Sequence, residues 1–202
     1  MKKLIAFGDS WTAGHGVEDD NYYKENPTPP IFIQKLREQN SWVRYCAEKF
    51  DIPYVNLGVC GYGNEYIYQS IKDNLEFISK EDLIIVVFSY PYRYQSYNKY
   101  KPVELFQKFE ELLDGYTKFY FNGFYPLLEN TKELPVHYIN PDGTLSYQLE
   151  IEEIINKKNV WEYGSKMVWN DKDNYYEGDY HPNLEGYKII SQYIYNEITQ
   201  LL

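Results

Sequence analysis

The sequence predicts a three-layer α/β domain with a mostly parallel sheet, and three observations predict it. Short apolar runs ending at glycine or polar turns alternate with stretches whose apolar residues recur at helical spacing. The run Asp82-Leu83-Ile84-Ile85-Val86-Val87-Phe88-Ser89 is continuously apolar between its polar ends, as expected of a central parallel strand buried on both faces. The chain of 202 residues is long enough to bury a substantial core in one domain spanning residues 1–202.

Lys3-Leu4-Ile5-Ala6-Phe7 reads as a buried strand running into the turn Gly8-Asp9-Ser10. A glycine there lets the backbone turn sharply and leaves the hydroxyl exposed at a strand end, where α/β sheets hold their ligands; the alternative use of Asp9 or Ser10 is to cap a helix. Val17 to Pro30, with three prolines, is an irregular excursion and a candidate rim over the site. Ile31 to Phe50 suits one broken or two short helices, with Ser41 capping the restart. Ile52 to Gly58 reads as a strand entering the glycine-rich turn 58–64, and Asn64 to Ile78 as a helix with Ile67, Ile71, Leu75 and Ile78 on one stripe. Pro102 to Glu129 reads as a long helical region, bent near Gly115 or Gly123. Leu134 to Asn140 is a strand candidate, Tyr147 to Ile155 a short helix, and Val160-Trp161 or Met167-Val168-Trp169 an edge strand or loop. Asn183 to Leu202 closes the chain as an amphipathic helix capped by Asn183.

Composition narrows the function. A formal charge of -10 and a pI of about 4.8 argue against a general nucleic-acid binder, which needs a basic face. No apolar segment approaches the roughly 20 residues that span a bilayer, and the apolar run at the N-terminus is too short for a signal peptide, so a cytoplasmic protein is expected. Cys46 and Cys60 have apolar or small neighbours and are expected as buried thiols rather than a disulfide or metal pair. The 24 tyrosines fit either a compositional bias or aromatic faces for a ring-bearing ligand.

A serine hydrolase needs a hydroxyl, a base, a group that orients the base, and donors for the oxyanion. Ser10 offers the hydroxyl. The chain has 3 histidines: His137 lies inside a strand pattern, His15 lies in the Gly14-His15-Gly16 turn, and His181 lies on the loop before the last helix with Asp179 two residues upstream. His181 is the candidate base.

Gly8-Asp9-Ser10, Asn56-Leu57-Gly58-Val59-Cys60-Gly61 and Asp179-Tyr180-His181-Pro182, in that order across nearly the whole chain, resemble the SGNH, or GDSL, hydrolase superfamily. The resemblance implies a flavodoxin-like α/β/α fold and a serine esterase acting on acylated sugars or lipids, with no metal or organic cofactor. It makes Ser10 the nucleophile and an oxyanion donor through its backbone N–H, Gly61 a second backbone donor, and His181 the base. Two positions depart from the family pattern. Where the family carries Gly-x-Asn-Asp after the central strand, this chain reads Phe88-Ser89-Tyr90-Pro91-Tyr92-Arg93, which leaves Asn64 or Arg93 as the replacement donor, Arg93 also suiting an anionic substrate group. The family's Asp three residues before the histidine is Gly178 here, so Asp179 or Glu177 orients His181. Asp9 is expected to accept loop N–H groups. Tyr90 and Tyr92 could stack on a sugar. The expected reaction is hydrolysis of an O-acetyl or other short acyl ester, on a small molecule or saccharide, through an acyl-Ser10 intermediate; the rivals are acyl transfer by the same residues and a glycan-binding module without turnover.

Overall fold

The structure, a computed structural model, describes residues 1–16, 30–89, 102–122, 160–162, 181–200 and 202. Five strands, β1 (Leu4–Gly8), β2 (Tyr54–Gly58), β3 (Leu83–Phe88), β4 (Thr117–Asn122) and β5 (Val160–Glu162), form one sheet in the order β2-β1-β3-β4-β5. All four pairings are parallel. This is the flavodoxin-like order, whose direction reverses between β1 and β3 and opens a crevice at the carboxyl ends of those two strands.

Among the described residues six helices flank the sheet: α1 (Ser10–Ala13), α2 (Pro30–Asn40), α3 (Trp42–Phe50), α4 (Asn64–Asn74), α5 (Pro102–Leu112) and α6 (Leu184–Thr199), with a 3-10 turn (Leu75–Phe77) extending α4. The two-residue alternation of a strand divides its side chains between two layers. Leu4, Ala6, Leu83, Ile85, Val87, Phe119 and Phe121 pack against Trp42, Val43, Cys46 and Ala47 of α3 and Tyr187, Ile190, Ile194 and Ile198 of α6. Their neighbours Ile5, Phe7, Ile84, Val86 and Tyr120 face the other way, onto Ile67 and Ile71 of α4 and Leu105, Phe106 and Phe109 of α5. Each fully buried Val, Leu, Ile or Phe among them contributes about 1.5–3 kcal/mol. A surface pair such as Lys2–Glu81, exposed on both sides, contributes about 0–1 kcal/mol, so the two apolar layers hold the molecule together.

The region after Pro102 differs from its helical expectation. Helix α5 stops at Leu112, Gly115 adopts a left-handed φ of 71°, and Thr117–Asn122 becomes β4. The aromatic run Phe119-Tyr120-Phe121 is buried on both faces of the sheet, and a continuous apolar run of that length has no period that separates strand from helix. Val160-Trp161 is the edge strand β5. Ser41 sits at the N-cap of α3 as expected but forms no side-chain cap; its hydroxyl donates to Glu38 O (3.2 Å) and accepts from Asn56 Nδ2 (3.2 Å). Cys46 is buried, whereas Cys60 is exposed. Cys60 follows edge strand β2 beside Val59, which is itself exposed, so apolar neighbours there do not mean burial. The expectations for 17–29, 134–140, 147–155 and 167–169 lie outside the described residues.

Candidate active site

The site is assembled at the crevice between the ends of β1 and β3. Asp9 follows β1 and is fully buried. Its Oδ1 accepts the Trp11 N–H (3.1 Å) and so starts α1, and its Oδ2 accepts the Ser89 hydroxyl (3.1 Å) from the end of β3. Asp9 is the structural carboxylate that the loop calls for. Ser10, at the first position of α1, has an N–H that no intrahelical carbonyl reaches.

His181 arrives from the other end of the chain. It precedes α6, whose start is fixed by Asn183 Oδ1 accepting the Gly186 N–H (3.0 Å). Its Nε2 lies 2.9 Å from Ser10 Oγ. A hydroxyl and an imidazole at that separation can exchange a proton.

His15 is the neighbour that sequence reasoning set aside. Its ring stacks on His181, with centroids 4.2 Å apart and planes at 27°. Its N–H donates to Ser10 O (2.9 Å), and its carbonyl accepts the Tyr187 hydroxyl (2.5 Å). Gly14 and Gly16 flank it at φ of 87° and 96°. Outside this pair, His15 Nδ1 lies 3.7 Å from Cys60 Sγ, to which Arg37 Nη1 donates at 3.3 Å. Stacking between residues so far apart in the chain leaves no local signal; the glycines on both sides of His15 marked only a tight turn.

The middle motif packs under α1. Asn56 Nδ2 donates to Thr12 O (2.7 Å) and its Oδ1 accepts the Gly58 N–H (3.0 Å). Gly61 has a left-handed φ of 85°. Asn64 is not the cap of α4, a place taken by Gly63. Its carboxamide instead reaches β3, donating from Nδ2 to Ser89 O (2.9 Å) and accepting the Ser89 N–H at Oδ1 (2.7 Å). Asn64, Ser89 and Asp9 thus form a chain of hydrogen bonds ending at the first turn of α1. Asp179, Glu177, Tyr90, Tyr92, Arg93 and His137 lie outside the described residues.

No protein-family model matches the sequence, and no curated protein matches it at significance. Solved structures do match, over nearly the whole length of both chains. A lipolytic protein of the G-D-S-L family from Veillonella parvula superposes with a TM-score of 0.61 at 17% identity, covering 100% of each chain. The psychrotrophic esterase EstA of Pseudoalteromonas sp. gives 0.62 at 15%, covering 100% of this chain and 98% of that one. The chain has the SGNH hydrolase fold. A family 3 carbohydrate esterase from Clostridium thermocellum shares that SGNH architecture, with a TM-score of 0.60 at 15% identity and 99% and 96% coverage. Among the described residues, no helix is long and apolar enough to cross a membrane.

Proposed function

We propose that the chain is a serine esterase that hydrolyses a carboxylic ester, an O-acetyl or other short acyl group on a saccharide, through an acyl-Ser10 intermediate. The observation that carries this is the 2.9 Å approach of Ser10 Oγ to His181 Nε2 at the crevice of an SGNH fold. In this reading His181, protonated at Nδ1, accepts the Ser10 proton at Nε2 as Oγ attacks the ester carbonyl. The oxyanion collects the N–H groups of Ser10 and Gly61 and the second Nδ2 hydrogen of Asn64, the first being held by Ser89 O. His181 then returns the proton to the departing alkoxide, and a water deprotonated by the same imidazole frees Ser10. Asp179 orients His181. Tyr90, Tyr92 and Arg93 bind the substrate, the tyrosines by stacking on a sugar ring and Arg93 through an anionic group.

Ester hydrolysis in general is supported by the esterase and lipolytic neighbours, and a sugar ester by the carbohydrate esterase among them. A fluorophosphonate is expected to label Ser10 covalently, and an activated acetyl ester to give a burst of product followed by steady turnover. Ser10→Ala should abolish both with the melting temperature nearly unchanged. Wild-type turnover in Ser10→Ala would end the proposal. Product that appears only with an added sugar acceptor would make the enzyme an acyltransferase.

A further inference from the structure

We infer that His15 is a positioning residue that holds His181 in the plane from which Nε2 reaches Ser10. This rests on the Ser10–His181 reading above. A histidine ring has a broad, two-fold preference about its outer torsion, so contacts on the ring rather than the backbone choose its plane. Beside the carboxylate proposed to orient it, His181 has the stacked ring of His15, 4.2 Å away and 27° from parallel, which restrains that torsion from the face of the ring.

The support is itself anchored on three sides. Its N–H is bonded to Ser10 O at 2.9 Å, its carbonyl holds the Tyr187 hydroxyl of α6, and its Nδ1 edge meets Cys60 Sγ at 3.7 Å, with Arg37 beyond. The bond to Ser10 and the stack on His181 tie His15 to both members of the reacting pair. Gly16 closes the arrangement, since a Cβ there would sit 2.7 Å from His181 Cβ and 2.8 Å from Pro182 O. The turn is therefore shaped to the base as well as to the nucleophile. When His181 carries the proton, the face of a neutral ring is also attracted to that charge. An aromatic ring is thus required at position 15, whereas an aliphatic side chain of similar size fills the space without the attraction.

The test compares His15→Ala, His15→Leu and His15→Phe by kcat and KM on one activated acetyl ester, and by the ring-proton NMR shifts of His181. A misplaced catalytic group costs about 10²-fold, so His15→Ala should lose about 10–100-fold in kcat with KM nearly unchanged. His15→Phe should restore most of kcat and keep the ring-current shift of His181, and His15→Leu should restore neither. Wild-type kcat in His15→Ala, or equal rescue by Leu and Phe, would overturn the assignment while the esterase reading stands. A wild-type protein inert to ester and phosphonate alike, with the His181 ring shift present, would remove the esterase reading and the positioning role with it.

Discussion

Asn64 engages both ends of its carboxamide with the backbone of one residue, fully buried Ser89. Removing it takes one hydrogen bond from a buried N–H and one from a buried carbonyl, a loss of about 1–3 kcal/mol each. A domain of this size loses about 2–4 °C of Tm per kcal/mol, so Asn64→Ala should melt several degrees lower by calorimetry. If the second Nδ2 hydrogen also meets the oxyanion, kcat falls about 10²–10³-fold with KM nearly constant; a normal kcat in the folded variant would leave the hole to the Ser10 and Gly61 backbone. The sequence pointed to Asn64 through its place after a glycine turn, but its partner on β3 is a tertiary fact. The juxtaposition of Ser10 with His181 could be anticipated, Ser10 because a strand-end glycine precedes it and His181 because few histidines compete. The place of His15 beside them could not, since only the fold brings its ring onto His181.

At the scale of elements, the junction of α1 with β2 is backbone against backbone. A Cβ on Gly58 would lie 2.4 Å from Ala13 N and 2.7 Å from Thr12 C, both backbone atoms that cannot rotate away. Overpacking of this kind costs about 1–3 kcal/mol or more. Gly58→Ala should therefore lower the melting temperature and displace α1 with Ser10 on it, so that phosphonate labelling slows even at temperatures where circular dichroism reports a folded chain. Labelling at the wild-type rate would show that the turn tolerates the contact. Strands β1 and β3 could be read from their apolar runs and α6 from its stripe and Asn183 cap. Strand β4 could not, because Gly115 marks the end of α5 as readily as a bend within it, and only the pairing with β3 distinguishes them.

Over the whole molecule, burial divides the two thiols. Cys46, packed between α3 and the sheet, has its pKa pushed by burial from 9.0 up to about 12, and Cys60 stands exposed at the crevice rim. The sign follows from which state ionises first. Below pH 9 both folded and unfolded Cys46 are neutral and its contribution is intact; as pH rises from 9.0 toward about 12 the unfolded thiol ionises while the buried one does not, and stability falls. A thiol reagent at pH 8 should accordingly count one cysteine in the native protein and two in denaturant. A count of two in the native state would contradict the packing of α3. The pair proposed to do the chemistry is separated by 171 positions in the chain, and this has a consequence during synthesis. At 5–20 residues per second, Ser10 leaves the ribosome on the order of 10–30 s before His181 does. Throughout that interval the nascent polypeptide carries Ser10 without the imidazole proposed as its base, so that the proposed esterolysis begins only when α6 has been made and has docked, and a product interrupted before His181 is expected to be silent.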